Sequence, residues 1–312
     1  MTSRGEPQVT VVIPCFRQGH LLAECLHSVR AQTLPVWTAV VVDDASPDGA
    51  VIRAAVEALD DPRVRLLCQP RNGGLSAARN AGIRASATPF VLCVDADDVL
   101  DPHYLERLLP PLLADPALEL ACCDLALFGA ETGTRHCHVP AAGEILRAQP
   151  VPPNALMRRT LWERLGGYDE SDVLRIGRED WEFYVRAFSR GCRAVHVAEP
   201  LYRYRTAAQS MNVACRTREH VVRRYIYEKH RALFDAAGEG RAVLASGYDR
   251  AAAAAQARGD PWGMLRLAAH ALALRPSWRR TKQTLRGLRL VLGLPGPRML
   301  RERWTAQRSG AG

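Results

Sequence analysis

Asp95, Asp97 and Asp98 crowd the end of an apolar run, Phe90 to Val94. Such a run reads as a buried strand. Three carboxylates at one strand end repel one another unless something positive joins them. A divalent metal meets that need, because Mg²⁺ and Mn²⁺ take oxygen ligands and are held by one or two carboxylates together with substrate phosphates. The tetrapeptide Asp95-Ala96-Asp97-Asp98 therefore predicts a metal–diphosphate site. A calcium loop is the competing reading, since Glu106 falls at its last ligand position. It fails at Val99, where a ligand is needed, and at Leu100, where glycine makes the sharp turn.

Other residues carry weaker signals. Asp43-Asp44 follow a second apolar run and precede the turn-like Ser46-Pro47-Asp48-Gly49; a helix-capping role is the plain reading. A dinucleotide site also wants an acid after a second strand. It requires Gly-x-Gly-x-x-Gly at the first turn, which Pro14 to His20 lacks. Glu179-Asp180 stand at the start of a helical stretch, where capping is again the plain alternative. Arg79 is the odd polar member of Ser76-Ala-Ala-Arg-Asn-Ala-Gly82, whose small residues suit close helix packing. His136-Cys137-His138 with Cys122-Cys123 have metal-binding side chains, but their spacing fits no common zinc site.

The elements that must position these groups alternate. Strands are predicted at Val9–Ile13, Ala39–Val42, Val64–Leu67 and Phe90–Val94, with helices at His20–Gln32, up to about Leu59, from about Ser76 and from about Pro102. Strand alternating with helix means an α/β fold with a parallel sheet covered on both faces. Ligands bind outside the carboxyl ends of such strands. That places Pro14-Cys15-Phe16, Asp43-Asp44, the Arg71–Arg79 region and Asp95–Asp98 on one rim. Beyond about residue 115 the alternation fades: Leu118–Phe128 reads as a strand, Ala155–Gly167 as a strand and a helix closed by Gly166-Gly167, Trp181–Ser189 as a helix, Ala194–Val197 as a strand. From Arg216 the chain turns Ala-, Leu- and Arg-rich and reads as helical. The expected division is 1–212, with halves of about 9–115 and 116–212, followed by a basic, mainly helical extension at 213–312.

The 312 residues suffice for a large core. The 9 cysteines are odd in number and irregularly spaced, and no secretory leader precedes them, so reduced cytosolic thiols are expected. No apolar run is long enough to span a bilayer. Residues 213–312 hold 20 Lys and Arg against 7 Asp and Glu, whereas residues 1–212 hold 22 against 26. A basic tail behind an acidic front suits an anionic surface. Two readings of residues 275–308 stay open: a membrane-surface helix facing anionic lipid, and a solvated helical cap. No nucleic-acid motif accompanies the charge.

Together, Val9-Thr-Val-Val-Ile-Pro14, Val40-Val-Val-Asp-Asp-Ala-Ser46, Asn72-Gly-Gly-Leu-Ser-Ala-Ala-Arg-Asn80, Asp95-Ala-Asp-Asp98, Gly166-Gly-Tyr-Asp169, Glu179-Asp180-Trp181 and Leu201-Tyr-Arg-Tyr-Arg205 resemble the inverting glycosyltransferase family 2, of the GT-A fold. They follow the family's order across residues 9–212. The resemblance implies a Rossmann-like, mostly parallel sheet flanked by helices. It implies a metal-dependent enzyme that moves one sugar from a nucleoside diphosphate, UDP in expectation, to a hydroxyl of a glycan or lipid-linked glycan, using Mn²⁺ or Mg²⁺.

The resemblance also assigns roles. Asp97 binds the metal; Asp95 meets the ribose or a metal-bound water; Asp98 supports them. Asp44, beside Asp43, accepts from the base, typically uracil N3–H. Pro14 and Phe16 wall the base, and Arg79 stands beside the nucleotide. Asp180 is the general base that takes the acceptor's proton on the face opposite the diphosphate, with Glu179 in support. Trp181 stacks on an acceptor sugar or packs in the core. Asp169 touches a sugar or merely closes a helix-ending turn. Arg203 or Arg205, on a mobile loop, closes on the diphosphate.

Two departures stand out. Ala207 occupies the place where many relatives carry histidine, and the Gln-x-x-Arg-Trp motif of processive synthases is absent, which favours one sugar per encounter. Two other functions stay open. A sugar nucleotidyltransferase wants a Gly-rich basic loop after the first strand, of which only Arg17-Gln18-Gly19 is present. A catalytically silent nucleotide-sugar binder would need none of the acids intact. The expected location is the cytoplasm, peripheral to the inner membrane face if the basic tail binds lipid.

Overall fold

A computed structural model describes residues 6–207 and 211–294. The chain divides into two units, Met1–Met211 and Asn212–Gly312. The first is a mixed α/β unit built on a nine-stranded sheet.

The sheet's first half is parallel. Strands β1 (Val9–Cys15), β2 (Trp37–Asp43), β3 (Val64–Cys68) and β4 (Phe90–Cys93) lie in the order β3-β2-β1-β4. β1, β2 and β4 are buried along almost their whole length, which is why they read as continuous apolar runs. The crossover helices are α1 (Gly19–Arg30), α2 (Gly49–Leu59) and α3 (Leu75–Arg84). Register brings the strand ends level: Cys15 pairs with Asp43, and Asp43 with Cys68. The small residues of α3 let it press on the sheet, where a Cβ at Gly82 would collide with Val12.

The second half is mixed. It contains β5 (Val99–Leu100), β6 (Leu118–Gly129), β7 (Gly133–Arg135), β8 (Leu156–Arg158) and β9 (Arg193–Thr206), with α4 (Tyr104–Ala114), α5 (Arg159–Leu165) and α6 (Glu179–Ser189). β8 runs antiparallel between β4 and β6, while β9 runs parallel to β6 with a bulge between Cys123 and Leu125. The short β5 and β7 carry no periodicity of their own and are invisible in sequence.

Two expectations need correcting. Tyr202-Arg203-Tyr204-Arg205 do not lie on a mobile loop. They are part of β9, where Val99 pairs with Arg203 and Leu100 with Tyr202. Pro200 disguised the strand's length, because a proline demotes a strand reading. Helix α6 begins at Glu179 rather than Trp181, so both acids sit in its first turn.

The second unit is helical, as expected: α7 (Met211–Lys229), α8 (Arg231–Ala236), α9 (Gly240–Ala257), α10 (Pro261–Leu274) and α11 (Trp278–Val291). The run Ala251–Ala255 lies in α9, and Ala251, Ala252 and Ala255 pack on Met264 and Ala268 of α10. Residues 295–308, the rest of the predicted basic segment, lie outside the described residues.

Candidate active site

The carboxyl ends of β1, β2 and β4 and the start of α3 line one rim, and a cavity of about 700 Å³ opens there. Pro14, Phe16, Arg17, Gln18, Asp44, Asn72, Gly74 and Arg175 are among its walls. Its size suits a nucleotide. Phe16 is 38% exposed, and the Arg17 guanidinium lies 5.3 Å from its ring centre. Arg17 and Ala45 hold left-handed backbone (φ 58° and 53°) in the two loops that border the cavity. The loops are tied together: Arg17 N–H donates to Ser46 Oγ at 2.7 Å, and Gly19 N–H to Asp48 at 2.9 Å.

Asp43 and Asp44 are built into this wall by backbone amides. Asp43 accepts from Ser46 N–H at 2.8 Å and holds the turn before α2. Asp44 Oδ1 accepts from Gly73 N–H (2.7 Å) and the Gln69 amide (2.9 Å), and Oδ2 from Gly74 N–H (2.8 Å). Burial raises the Asp44 pKa, and the two glycine amides oppose that. A carboxylate oxygen takes two hydrogen bonds, so Oδ2 keeps room for one more donor.

Asp95, Asp97 and Asp98 are held differently. Asp98 is buried, accepting from Tyr202 Oη–H at 2.8 Å and Arg205 N–H at 2.7 Å. Its carboxyl is pushed well up by burial and then by Asp95 and Asp97. Arg205 also donates from Nε to the Asp97 carbonyl at 2.7 Å and ion-pairs with Glu24. The arginine predicted to close on diphosphate thus braces the acidic loop. Arg203 lies against Phe128, 5.0 Å from its ring centre.

The Asp97 carboxyl is raised to about 6 by burial and then by the charge of Asp95, with the Gln18 amide and Arg205 opposing. That deficit of positive charge fits a hard divalent cation. No cage of three His, Cys, Asp or Glu exists among the described residues. A cation here would take Asp97, with Asp95 at hand, and leave its other positions to water and phosphate oxygens, the usual pattern for Mg²⁺.

Arg79 connects this cluster to Glu179. Its side chain is 1% exposed, with one guanidinium nitrogen 2.9 Å from Asp95 and another 2.6 Å from Glu179. One guanidinium therefore spans the acids after β4 and those of α6. Glu179 is raised to about 7 by burial and by Asp180, against the pull of Arg79. Asp180 is half-buried and accepts from the Gln149 amide at 2.6 Å and Trp181 N–H at 2.7 Å. Both its oxygens retain acceptor capacity.

Trp181 does not stack on a sugar. It is 1% exposed, and its indole N–H donates to the Ile145 carbonyl at 2.6 Å, so packing is its role. Asp169 accepts from Ser171 N–H at 2.8 Å, a local turn bond after the Gly166-Gly167 helix stop. The histidine–cysteine group disperses: His136 and His196 pair with Asp124, and His138 with Glu144.

Three participants escape a reading of sequence. Gln149 sits on Asp180, yet nothing in a Pro-rich loop marks it. Arg175 reaches the cavity from a 3-10 turn, Asp172–Ile176, and bonds Asn72. Asn80 is a satisfied hub: its oxygen accepts from Trp162 Nε1 (3.0 Å) and Tyr168 N–H (2.8 Å), and its amide donates to Tyr168 O and Glu170. It fastens the Gly166–Tyr168 turn to α3, and its place at the end of the stretch Asn72–Asn80, next to Arg79, was the available signal.

A model of glycosyl transferase family 2 matches residues 10–166, half of the chain. The uncharacterized glycosyltransferase EpsJ of Bacillus subtilis is 29% identical over 223 residues, 66% of this chain; the chain spans 63% of that relative's length. Among solved structures, S. aureus TarS 1–349 in complex with UDP-GlcNAc superposes with a TM-score of 0.62 at 17% identity, covering 92% of this chain and 82% of that one. The mannosyltransferase PcManGT from Pyrobaculum calidifontis, in complex with GDP-Man and Mn²⁺, gives 0.58 at 22% identity, covering 92% and 85%. At these identities the likeness is one of fold.

Proposed function

The chain belongs to glycosyl transferase family 2, and from that premise we propose that it is a metal-dependent, inverting transferase moving one sugar from a nucleoside diphosphate, UDP above others, to a hydroxyl of a glycan or lipid-linked glycan. The observation that carries the reading is Arg79, bonded at once to Asp95 and Glu179. It holds the acids of the donor side and those of the acceptor side within the reach of one guanidinium.

In this reading Asp97, with Asp95, holds Mn²⁺ or Mg²⁺, which when bound neutralises the leaving diphosphate. Asp95 also faces the ribose, and Asp98 keeps the loop in place. Uracil N3–H donates to the open position on Asp44 Oδ2, between Pro14 and Phe16, while Asp43 shapes the turn behind it. Asp180 takes the proton from the acceptor hydroxyl as its oxygen attacks C1 from the side away from the diphosphate. The Gln149 amide aims the carboxylate, and Glu179, tied to Arg79, keeps α6 at the right depth. The transition state resembles an oxocarbenium ion, as in glycoside hydrolysis. A cytoplasmic location belongs to the same proposal.

Asp180→Asn tests the central role. It keeps donor binding, read as a thermal shift with UDP and Mn²⁺, and lowers transfer by about 10²–10⁴-fold. Retained transfer would remove Asp180 as the base. No UDP release by the native chain from any donor it binds would favour a silent nucleotide-sugar binder instead.

A further inference from the structure

Helix α11 packs on α10 by one face. Gly287 marks the contact: a Cβ there would stand 3.0 Å from the Leu265 Cα. Arg280 is used on the same side, its guanidinium bonded to both oxygens of Asp249. At about 100° per residue, the opposite side divides lengthwise into two stripes. Trp278, Leu285, Leu288 and Leu292 fall in one, roughly 80° wide, and Arg279, Lys282, Arg286 and Arg289 in its neighbour, roughly 80° wide.

The apolar stripe is open. Trp278 is 70% exposed, Leu292 59% and Leu285 51%. The Lys282 ammonium lies 5.1 Å from the Trp278 ring centre, at the seam between the stripes. The cationic stripe borders a cavity of about 300 Å³ lined by Arg279, Lys282, Gln283, Arg286 and Gln256 of α9. A three-residue link makes α10 and α11 antiparallel. Trp262, 68% exposed in the first turn of α10, therefore stands at the hairpin end that carries Leu290, Leu292 and Leu294.

Charge selects the occupant. Residues 275–294 contain no Asp or Glu. A second copy meeting this face across a two-fold axis would set like charges against each other. Residues 295–312 hold 4 Arg and 1 Glu, so that segment does not complement the face either. What fits is apolar and anionic at once. Interfacial helices bury Trp and Leu at the headgroup–acyl boundary and keep Lys and Arg among anionic headgroups.

We infer that α11, with the first turn of α10, docks on an anionic lipid surface. The Trp278–Leu292 stripe enters the headgroup–acyl boundary, and Arg279, Lys282 and Arg286 meet lipid phosphates. This does not depend on the transfer reading, and nucleotide binding by the same preparation reports separately on that.

The test is flotation of the full chain with vesicles of phosphatidylglycerol and phosphatidylcholine, against phosphatidylcholine alone. The expected result is co-flotation with the anionic vesicles, at least about tenfold weaker without the anionic lipid. Leu285→Ser with Leu288→Ser abolishes it while leaving the nucleotide thermal shift intact. Arg279→Gln with Lys282→Gln and Arg286→Gln weakens it and flattens its salt dependence. Inorganic phosphate and glycerophosphoglycerol do not compete. Failure to float, or competition by free phosphate, overturns the inference. So does a lipid-free dimer, seen by light scattering, that Trp278→Ser with Leu285→Ser turns into monomer.

Discussion

Asp43-Asp44 close β2 and Asp95–Asp98 follow β4, on either side of β1. Both are acid clusters at the carboxyl end of a parallel strand. The first is answered by neutral donors, the N–H groups of Ser46, Gly73 and Gly74 and the Gln69 amide. The second must share Arg79 with Glu179, and Asp97 is left raised to about 6 by burial and by Asp95. In the first cluster, neutral donors fill three of the four acceptor positions of Asp44 and leave one open on Oδ2. The other is short of positive charge. Two carboxylates at the end of one strand and three after the other thus suit, in the proposed reading, opposite tasks: reading a base and holding a cation.

Exchanging the test between the clusters is the sharpest way to break that contrast. Asp97→Ala is expected to erase the Mn²⁺-dependent part of the thermal shift with nucleoside diphosphate and to lower transfer by about 10²–10³-fold or more. Asp44→Ala is expected to keep the metal dependence while weakening nucleotide binding. The reverse pattern would assign the cation to the wrong strand. Next in size is Arg79→Met, which strands Asp95 and Glu179 without their shared partner. Loss of one member of a buried ion pair costs about 3–5 kcal/mol. Urea unfolding measures it, and a loss below about 1 kcal/mol would show that the two acids do not rely on this guanidinium.

The contrast was half legible in the sequence. Carboxylates after apolar runs announced both clusters, and strand–helix alternation placed them on one rim, because a parallel sheet must put all its strand ends there. Partners were not legible. Gly73 and Gly74 reach Asp44 across 29 and 30 residues, and Glu179 reaches Arg79 across 100. Nothing in local spacing encodes such contacts. The second half of the sheet hid for a related reason. β7 and β5 are three and two residues long, too short for any period, and their place is decided by the neighbours they pair with. Arg205 shows the cost of reading type without partner: its charge suggested a diphosphate clamp, but its bonds go to Asp97 O and Glu24.

A smaller effect tests how far the first cluster is structural. Asp44→Ala leaves the N–H groups of Gly73 and Gly74 facing an empty space at the start of α3. An unmet donor costs about 1–3 kcal/mol when buried, and these two residues are half-buried, so the low end of that range is expected. Asp44→Asn restores an acceptor for one of them and is expected to recover part of that stability, without recovering the base contact if a carboxylate is needed there. Equal stability for both variants would mean that water replaces the carboxylate without loss.

Glu179 and Asp180 form a third acid cluster, and it resembles the second: burial and Asp180 raise Glu179 from its ordinary 4.5 to about 7, with Arg79 opposing. The consequence has a definite sign. Below about pH 4.5 the group is protonated whether the chain is folded or not, and its contribution to stability is fully present. Between there and about 7 the unfolded chain releases the proton while the folded one keeps it, so stability from this group is lost as pH rises through the folded pKa. Glu179→Gln stays neutral throughout and keeps the side chain's length. The stability of the native protein relative to Glu179→Gln should therefore fall across that window, with a slope of at most about 1.4 kcal/mol per pH unit. Paired denaturation curves at several pH values cancel every other titrating group. A difference that stays flat would mean that Arg79 fully offsets burial and Asp180, so that Glu179 ionises in the fold at its ordinary pKa. The acceptor side would then resemble Asp43-Asp44, satisfied by its own partners, and the cluster at Asp95–Asp98 would stand alone in its need for a cation.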